Sequence, residues 1–102
     1  MKVTWSAKAE DAMHQIEYYI LAKFGEDSRS QFMKEVERVA YLLEEMPDIG
    51  HPEPLLAHRP QGYRSITIHR LSKMVYYIHG DSIRIAAFWD TRREPKQQVI
   101  AI

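Results

Sequence analysis

A chain of 102 residues, 45% hydrophobic and 27% charged, is sized for one domain with its own core and leaves little room for a second. It has no cysteine, which excludes disulfides and thiolate metal sites, and no apolar run approaches the roughly 18 residues that span a bilayer. The formal charge is zero but unevenly spread: Met1 to Glu53 holds 6 Lys and Arg against 11 Asp and Glu, whereas Pro54 to Ile102 holds 8 against 3. An acidic half and a basic half point to separate electrostatic surfaces, the basic one suited to a polyanion or an acidic protein.

The opening MKVTWSAKAED has no apolar stretch after its lysine, so no secretion signal is expected and the cytoplasm is the expected compartment. KVTW, Lys2 to Trp5, alternates as a short strand does. Ser6 is placed to cap a helix that runs through Phe24 to Gly25, with Ala9, Ala12, Met13, Ile16, Ile20 and Phe24 along one face. A second helix starts at Asp27 or Ser28 and ends at Pro47, with Phe32, Val36, Val39, Ala40, Leu43 and Met46 as its stripe. The short break between them predicts an antiparallel helical hairpin.

Pro47 to Gly62 carries four prolines, so it reads as a crossover and not as a central strand or a long helix. Beyond it the period changes to two, in YRSITIH, KMVYYIH and SIRIAAFW. Gly80-Asp81 is a two-residue hairpin turn that sets Tyr76 opposite Ile85. Met74, Tyr76, Ile78, Ile83, Ile85, Ala87 and Trp89 then share the face expected beneath the helices. A three-residue loop, Arg70-Leu71-Ser72, brings Ile66 opposite Tyr76 and Ile68 opposite Met74; a loop one residue shorter turns both isoleucines away from the core. The expected fold is a single α+β domain over residues 1–102: an N-terminal strand, an antiparallel helical hairpin, then a three-stranded antiparallel meander with the helices on one face of the sheet. QQVIAI at the end is a candidate edge strand.

The other face carries Lys73, Val75, Tyr77, His79, Arg84, Ala86, Phe88 and Asp90. Apolar residues set among charges on an uncovered sheet suggest a partner surface, and the run FWDTRREP brings Arg92 and Arg93 to its end. The candidate partner-binding residues are Tyr77, Arg84, Phe88, Asp90, Arg92 and Arg93; the two arginines suit bidentate contacts with carboxylates, and Asp90 is placed to orient Arg92 or Arg64. His14, His51, His58 and His69 have no metal-ligand spacing, and neither a metal nor a cofactor is expected.

WSAKAEDAMHQIEYYI, a helix ending MPDIG, then GYRSITI, KMVYYI, DSIRIAAFW and RREP, in that order and spacing, resemble the ParE/RelE superfamily over nearly the whole chain. These are toxins of type II toxin–antitoxin modules, also known as plasmid stabilisation proteins. The resemblance implies the RelE-like fold, a bacterial cytoplasmic setting and a cognate antitoxin that wraps the toxin with an extended or helical segment. A homodimer is left open.

The superfamily divides by target. RelE-like members cut mRNA on the ribosome, whereas ParE-like members inhibit DNA gyrase. Metal-free RNA cleavage needs a base for the 2′-OH, an acid for the leaving oxygen and cations for the phosphate. Arg64, Lys73 and Arg93 stand near the positions of the nuclease cations, and are the catalytic candidates if the chain is a ribonuclease. Ile66 stands where a second lysine is expected, no tyrosine follows RREP, and Asp90 stands where many members have a histidine. His79 does not replace it: about eight residues at ~3.3 Å each separate it from Asp90, roughly 25 Å. The leading expectation is a ParE-like gyrase inhibitor; the alternatives are a RelE-like endoribonuclease and an inactive, antitoxin-binding derivative.

Overall fold

The computed structural model describes residues 1–100 and 102. Ser6 ends the first strand, β1 (Lys2–Trp5), and caps helix α1 (Ala7–Phe24), its Oγ accepting from the Ala9 amide at 3.0 Å. Gly25, with φ +93°, closes α1 through its amide to the Leu21 carbonyl and is also the residue before α2 (Glu26–Glu45). The break is therefore one residue, and α2 begins earlier than Asp27 or Ser28. Glu17 of α1, buried against the turn, accepts from Arg29 Nη1 at 2.8 Å and pairs with His14 Nδ1 at 2.8 Å, tying the two helices together.

Strands β2 (His51–Pro52), β3 (Arg64–Ile68), β4 (Ser72–His79) and β5 (Ser82–Asp90) join β1 in a sheet of order β1-β5-β4-β3-β2. β1 runs parallel to β5 and the other pairs are antiparallel. A one-turn 3-10 helix (Pro54–Leu56) interrupts the proline-rich crossover, and a short helix, α3 (Pro95–Ile100), stands where an edge strand was expected. Pro95 fits the first helical position, where its missing N–H costs nothing. Ala101, part of that expected strand, lies outside the described residues. Among the described residues no helix is long and apolar enough to cross a membrane.

The helices cover one side of the sheet. Met13, Ile16 and Ile20 of α1 and Phe32, Val36 and Leu43 of α2 meet Tyr76, Ile83 and Ile85 there. Phe24 and Met46, expected on the same stripes, are more than half exposed; Phe24 is the last residue of α1 and Met46 the residue that caps α2. Tyr76 is fully buried, yet its hydroxyl accepts from the Gly50 amide at 2.9 Å and donates to the Pro47 carbonyl at 2.8 Å. A Cβ on Gly50 would lie 2.7 Å from that hydroxyl, so the MPDIG stretch needs glycine there.

Two registers differ from expectation. The β3–β4 loop is His69-Arg70-Leu71, with Ile66 opposite Met74 and Ile68 opposite Ser72. Because the pairing shifts by two residues, the face of both isoleucines is unchanged. The second difference changes faces. Tyr76 pairs with Ile85 as expected, but Val75 pairs with Ala87, leaving Ala86 unopposed in a β-bulge. Beyond the bulge Phe88 and Asp90 turn to the helix side, whereas Ala87 and Trp89 turn to the other. Phe88 is 3% exposed and packs on Phe32 and Trp5 at ring separations of 6.0 and 6.1 Å. It is a core residue and not part of an open face.

Nor is the second side of the sheet bare. Val75, Ala87 and Trp89 are buried there beneath Leu56 and Tyr63 of the crossover, with Val99 of α3 and Ile102 packed alongside. The expectation of a wholly uncovered face is corrected: the proline-stiffened crossover and the C-terminal helix close over its middle. Tyr77 and Arg84 remain partly exposed beyond that cover.

Candidate partner-binding site

Lys73 and Trp89 face each other across β4 and β5 on the second side. The Lys73 ammonium lies 5.2 Å from the centre of the Trp89 ring and donates to Glu53 Oε1. Glu53, set between two prolines, is 2% exposed. Ser65 Oγ donates to its Oε1 at 2.9 Å and the Leu55 amide to its Oε2 at 3.0 Å. Burial pushes the Glu53 carboxyl up, but the Lys73 hydrogen bond, the Leu55 amide and the Ser65 hydroxyl together hold it below the ordinary carboxylate range. Lys73 thus neutralises an internal carboxylate.

The other two nuclease candidates do not join it. Arg64 pairs with Tyr76, on the opposite face from Lys73, and its Nη1 donates to the Gly50 carbonyl at 2.7 Å. Its guanidinium holds the chain entering β2. Arg93 follows β5 in a turn closed by its amide to the Asp90 carbonyl at 3.1 Å. Sequence proximity to the motif therefore does not become a three-cation cluster. His79 does not complete such a site: it lies exposed at the Gly80-Asp81 turn, at the far end of the meander from Asp90.

Asp90 orients Arg92, not Arg64. Its Oδ1 accepts from Arg92 Nε at 3.0 Å and from the Arg92 amide at 2.9 Å, and its Oδ2 from Nη2 at 2.7 Å. The Arg92 hydrogen bond outweighs desolvation and holds the Asp90 carboxyl below its ordinary range. The same guanidinium lies 4.0 Å from the centre of the Tyr19 ring of α1. Arg92 is thus fixed between strand and helix, whereas Arg93 takes part in no ion pair among the described residues.

These residues frame a groove of about 250 Å³. α1 supplies Lys8, Ala12, Gln15 and Tyr19 to one wall; α3 supplies Gln97 and Gln98 to the other; Ala86 to Asp90 of β5 form the floor. The groove gathers Phe88, Asp90, Arg92 and Arg93 of the six partner-binding candidates. Tyr77 and Arg84 lie elsewhere: Tyr77 packs edge-on against Tyr63 at 5.3 Å, and Arg84 Nη1 donates to Thr4 Oγ1 at 3.3 Å. Sequence reasoning missed Glu53, Lys8 and Tyr19. The i, i+4 recurrence of Lys8, Ala12 and Ile16 placed Lys8 beside the apolar stripe, a signal that was available.

A small α+β domain with a helical hairpin on one side of a mostly antiparallel sheet, and a basic groove at the sheet's end, defines the general architecture. The ParE toxin family of the type II toxin–antitoxin system parDE matches residues 3–95, and the chain belongs to that family. Two solved structures share the fold. One, from a chromosomal ParDE TA system of P. aeruginosa, is 18% identical, with 88% of this chain and 95% of that chain covered and a TM-score of 0.71. The other, a YoeB/ParE toxin from Agrobacterium tumefaciens, is 16% identical, with 88% and 98% covered and a TM-score of 0.60. No curated protein sequence matches this one.

Proposed function

We propose that the chain acts as a ParE-like toxin: free, it inhibits DNA gyrase by binding, and a cognate antitoxin neutralises it. The observation that carries the reading is the internal use of the nuclease candidates. Lys73 is committed to Glu53, and Arg64 lies on the other face, bound to a backbone carbonyl. What remains at the basic end is a groove with a fixed Arg92 and an Arg93 that has no ion pair among the described residues, features that support protein recognition better than phosphoryl chemistry. Membership of the ParE family supports the same choice.

Supercoiling of relaxed plasmid by purified gyrase tests the proposal. The protein is expected to inhibit at stoichiometric or modest excess. Absence of inhibition together with in-frame cleavage of mRNA on translating ribosomes would replace this reading with the endoribonuclease one. Absence of both activities, with an antitoxin still bound, would leave the inactive binding module.

A further inference from the structure

The loop between β3 and β4 carries strained backbone. The Leu71 amide donates to the His69 carbonyl at 2.5 Å, and Arg70 between them has φ +59°. That is a γ-turn of the rare, strained hand. His69 before it also has a positive φ, +54°. At the other positive-φ positions among the described residues the chain places glycine: Gly25, Gly62 and Gly80. A Cβ in this conformation crowds the following carbonyl oxygen, so histidine and arginine here cost stability that glycine would not.

The fold accounts for the first of these side chains. The His69 ring packs edge-on against Phe32 of α2 at 6.1 Å, and Leu71 packs against the helix-side core. Thr91 clamps the loop from the end of β5: its amide donates to the Leu71 carbonyl at 2.9 Å and its hydroxyl to the Arg70 carbonyl at 3.0 Å. The conformation is thus held from both neighbours and from the adjoining strand. Nothing in the fold accounts for the arginine. Its side chain is exposed and makes no hydrogen bond or ion pair among the described residues.

We propose that Arg70 contacts the toxin's target: the strained turn fixes it at its apex, where with Arg93 it grips an acidic patch on the surface of gyrase. The inference rests on the gyrase reading above and adds the residue through which the target is engaged. Thr91, bonded to the turn, stands two residues before Arg93, so the two arginines share one end of the sheet. Backbone already held in place lowers the ordering cost of binding. Arg70 does not line the groove between α1 and α3, so this contact is separate from it. The neighbouring charges select a protein over a nucleic acid. Asp90 and Glu94 bracket Arg92 and Arg93, which breaks up the run of positive charge that a phosphate backbone needs. Separate carboxylates on a protein surface suit separate arginines, each able to bind one in bidentate fashion.

The test measures inhibition of gyrase supercoiling by the wild-type chain, Arg70→Gly, Arg70→Lys and Arg70→Glu, each beside its melting temperature. Arg70→Gly relieves the turn and removes the charge. Its melting temperature is expected to rise by several degrees, while the concentration for half-inhibition rises about tenfold. A purely structural role for Arg70 would not yield a more stable chain that inhibits less. Arg70→Lys, which keeps the charge, should lose least, and Arg70→Glu should lose most. Added salt should weaken the wild-type chain more than Arg70→Gly. An Arg70→Gly chain that inhibits as well as wild type, or that melts no higher, overturns the proposal while the gyrase reading stands. A wild-type chain that leaves supercoiling untouched overturns the gyrase reading, and this inference with it.

Discussion

Beneath α1 and α2 the sheet presents Met74, Tyr76, Ile83, Ile85 and Phe88 to a matching apolar stripe. On its other side the buried set includes Glu53, Ser65 and part of Lys73 beside Val75 and Trp89. The first side is held by burial of apolar area, which tolerates changes of shape and has no preferred pH. The second closes over a charge, and its stability depends on that charge keeping its partner. The difference shows how a residue that resembles a functional cation in sequence becomes a fastener: a carboxylate buried under the crossover needs an ammonium, and Lys73 is the nearest one.

Truncation on the helix side should have the largest effect. Phe32 is fully buried, and Phe32→Ala should cost about 3–5 kcal/mol in urea unfolding, the range for an aromatic removed from a packed core. Lys73→Met should come next, at about 3 kcal/mol, because it strands Glu53 without its cation. The contrast sharpens with the double variant Glu53→Gln, Lys73→Met, which removes both charges while the new amide oxygen still accepts from the Leu55 amide and the new amide nitrogen donates to Ser65 Oγ, whose hydroxyl can serve as acceptor. It should recover most of the loss, which a Phe32 truncation cannot do through any charge change. If Lys73→Met alone is as stable as wild type, the two sides do not differ in the way described.

Acid should have the smallest and most graded effect. Glu53, Glu17 and Asp90 are all held below their ordinary ranges in the folded chain: burial of Glu53 and Glu17 is outweighed by hydrogen bonds from Lys73 and from His14 and Arg29, and Asp90 is lowered chiefly by Arg92. Groups with depressed folded values contribute fully above the unfolded carboxylate range and lose that contribution as pH falls through the folded values. Unfolding free energy should therefore decline below about pH 4, and the double variant should decline less steeply because Glu53 is gone. An identical slope in the two proteins would mean that Glu53 carries no such linkage.

The helical hairpin was legible because Ser6 and Gly25 punctuate two stripes whose apolar spacing suits only a helix. The meander was legible to within two residues. The bulge was not: Ala86, Ala87, Phe88 and Trp89 are apolar at four successive positions, so alternation cannot say which pair faces inward. That ambiguity moved Phe88 and Asp90 to the wrong side and hid the contact between Lys73 and Trp89. Glu53 was illegible for another reason. Between prolines there is no period to read, and its burial comes from where the crossover lands on β3 and β4. The basic residues were visible in the chain, but their partners exist only in the fold.

Growth arrest on induced expression of the folded Glu53→Gln, Lys73→Met variant, beside the wild-type chain, tests most directly whether Lys73 serves the fold and not a substrate. Arrest equal to that of wild type is the expected result. A variant that folds with wild-type stability yet no longer arrests growth would contradict the account.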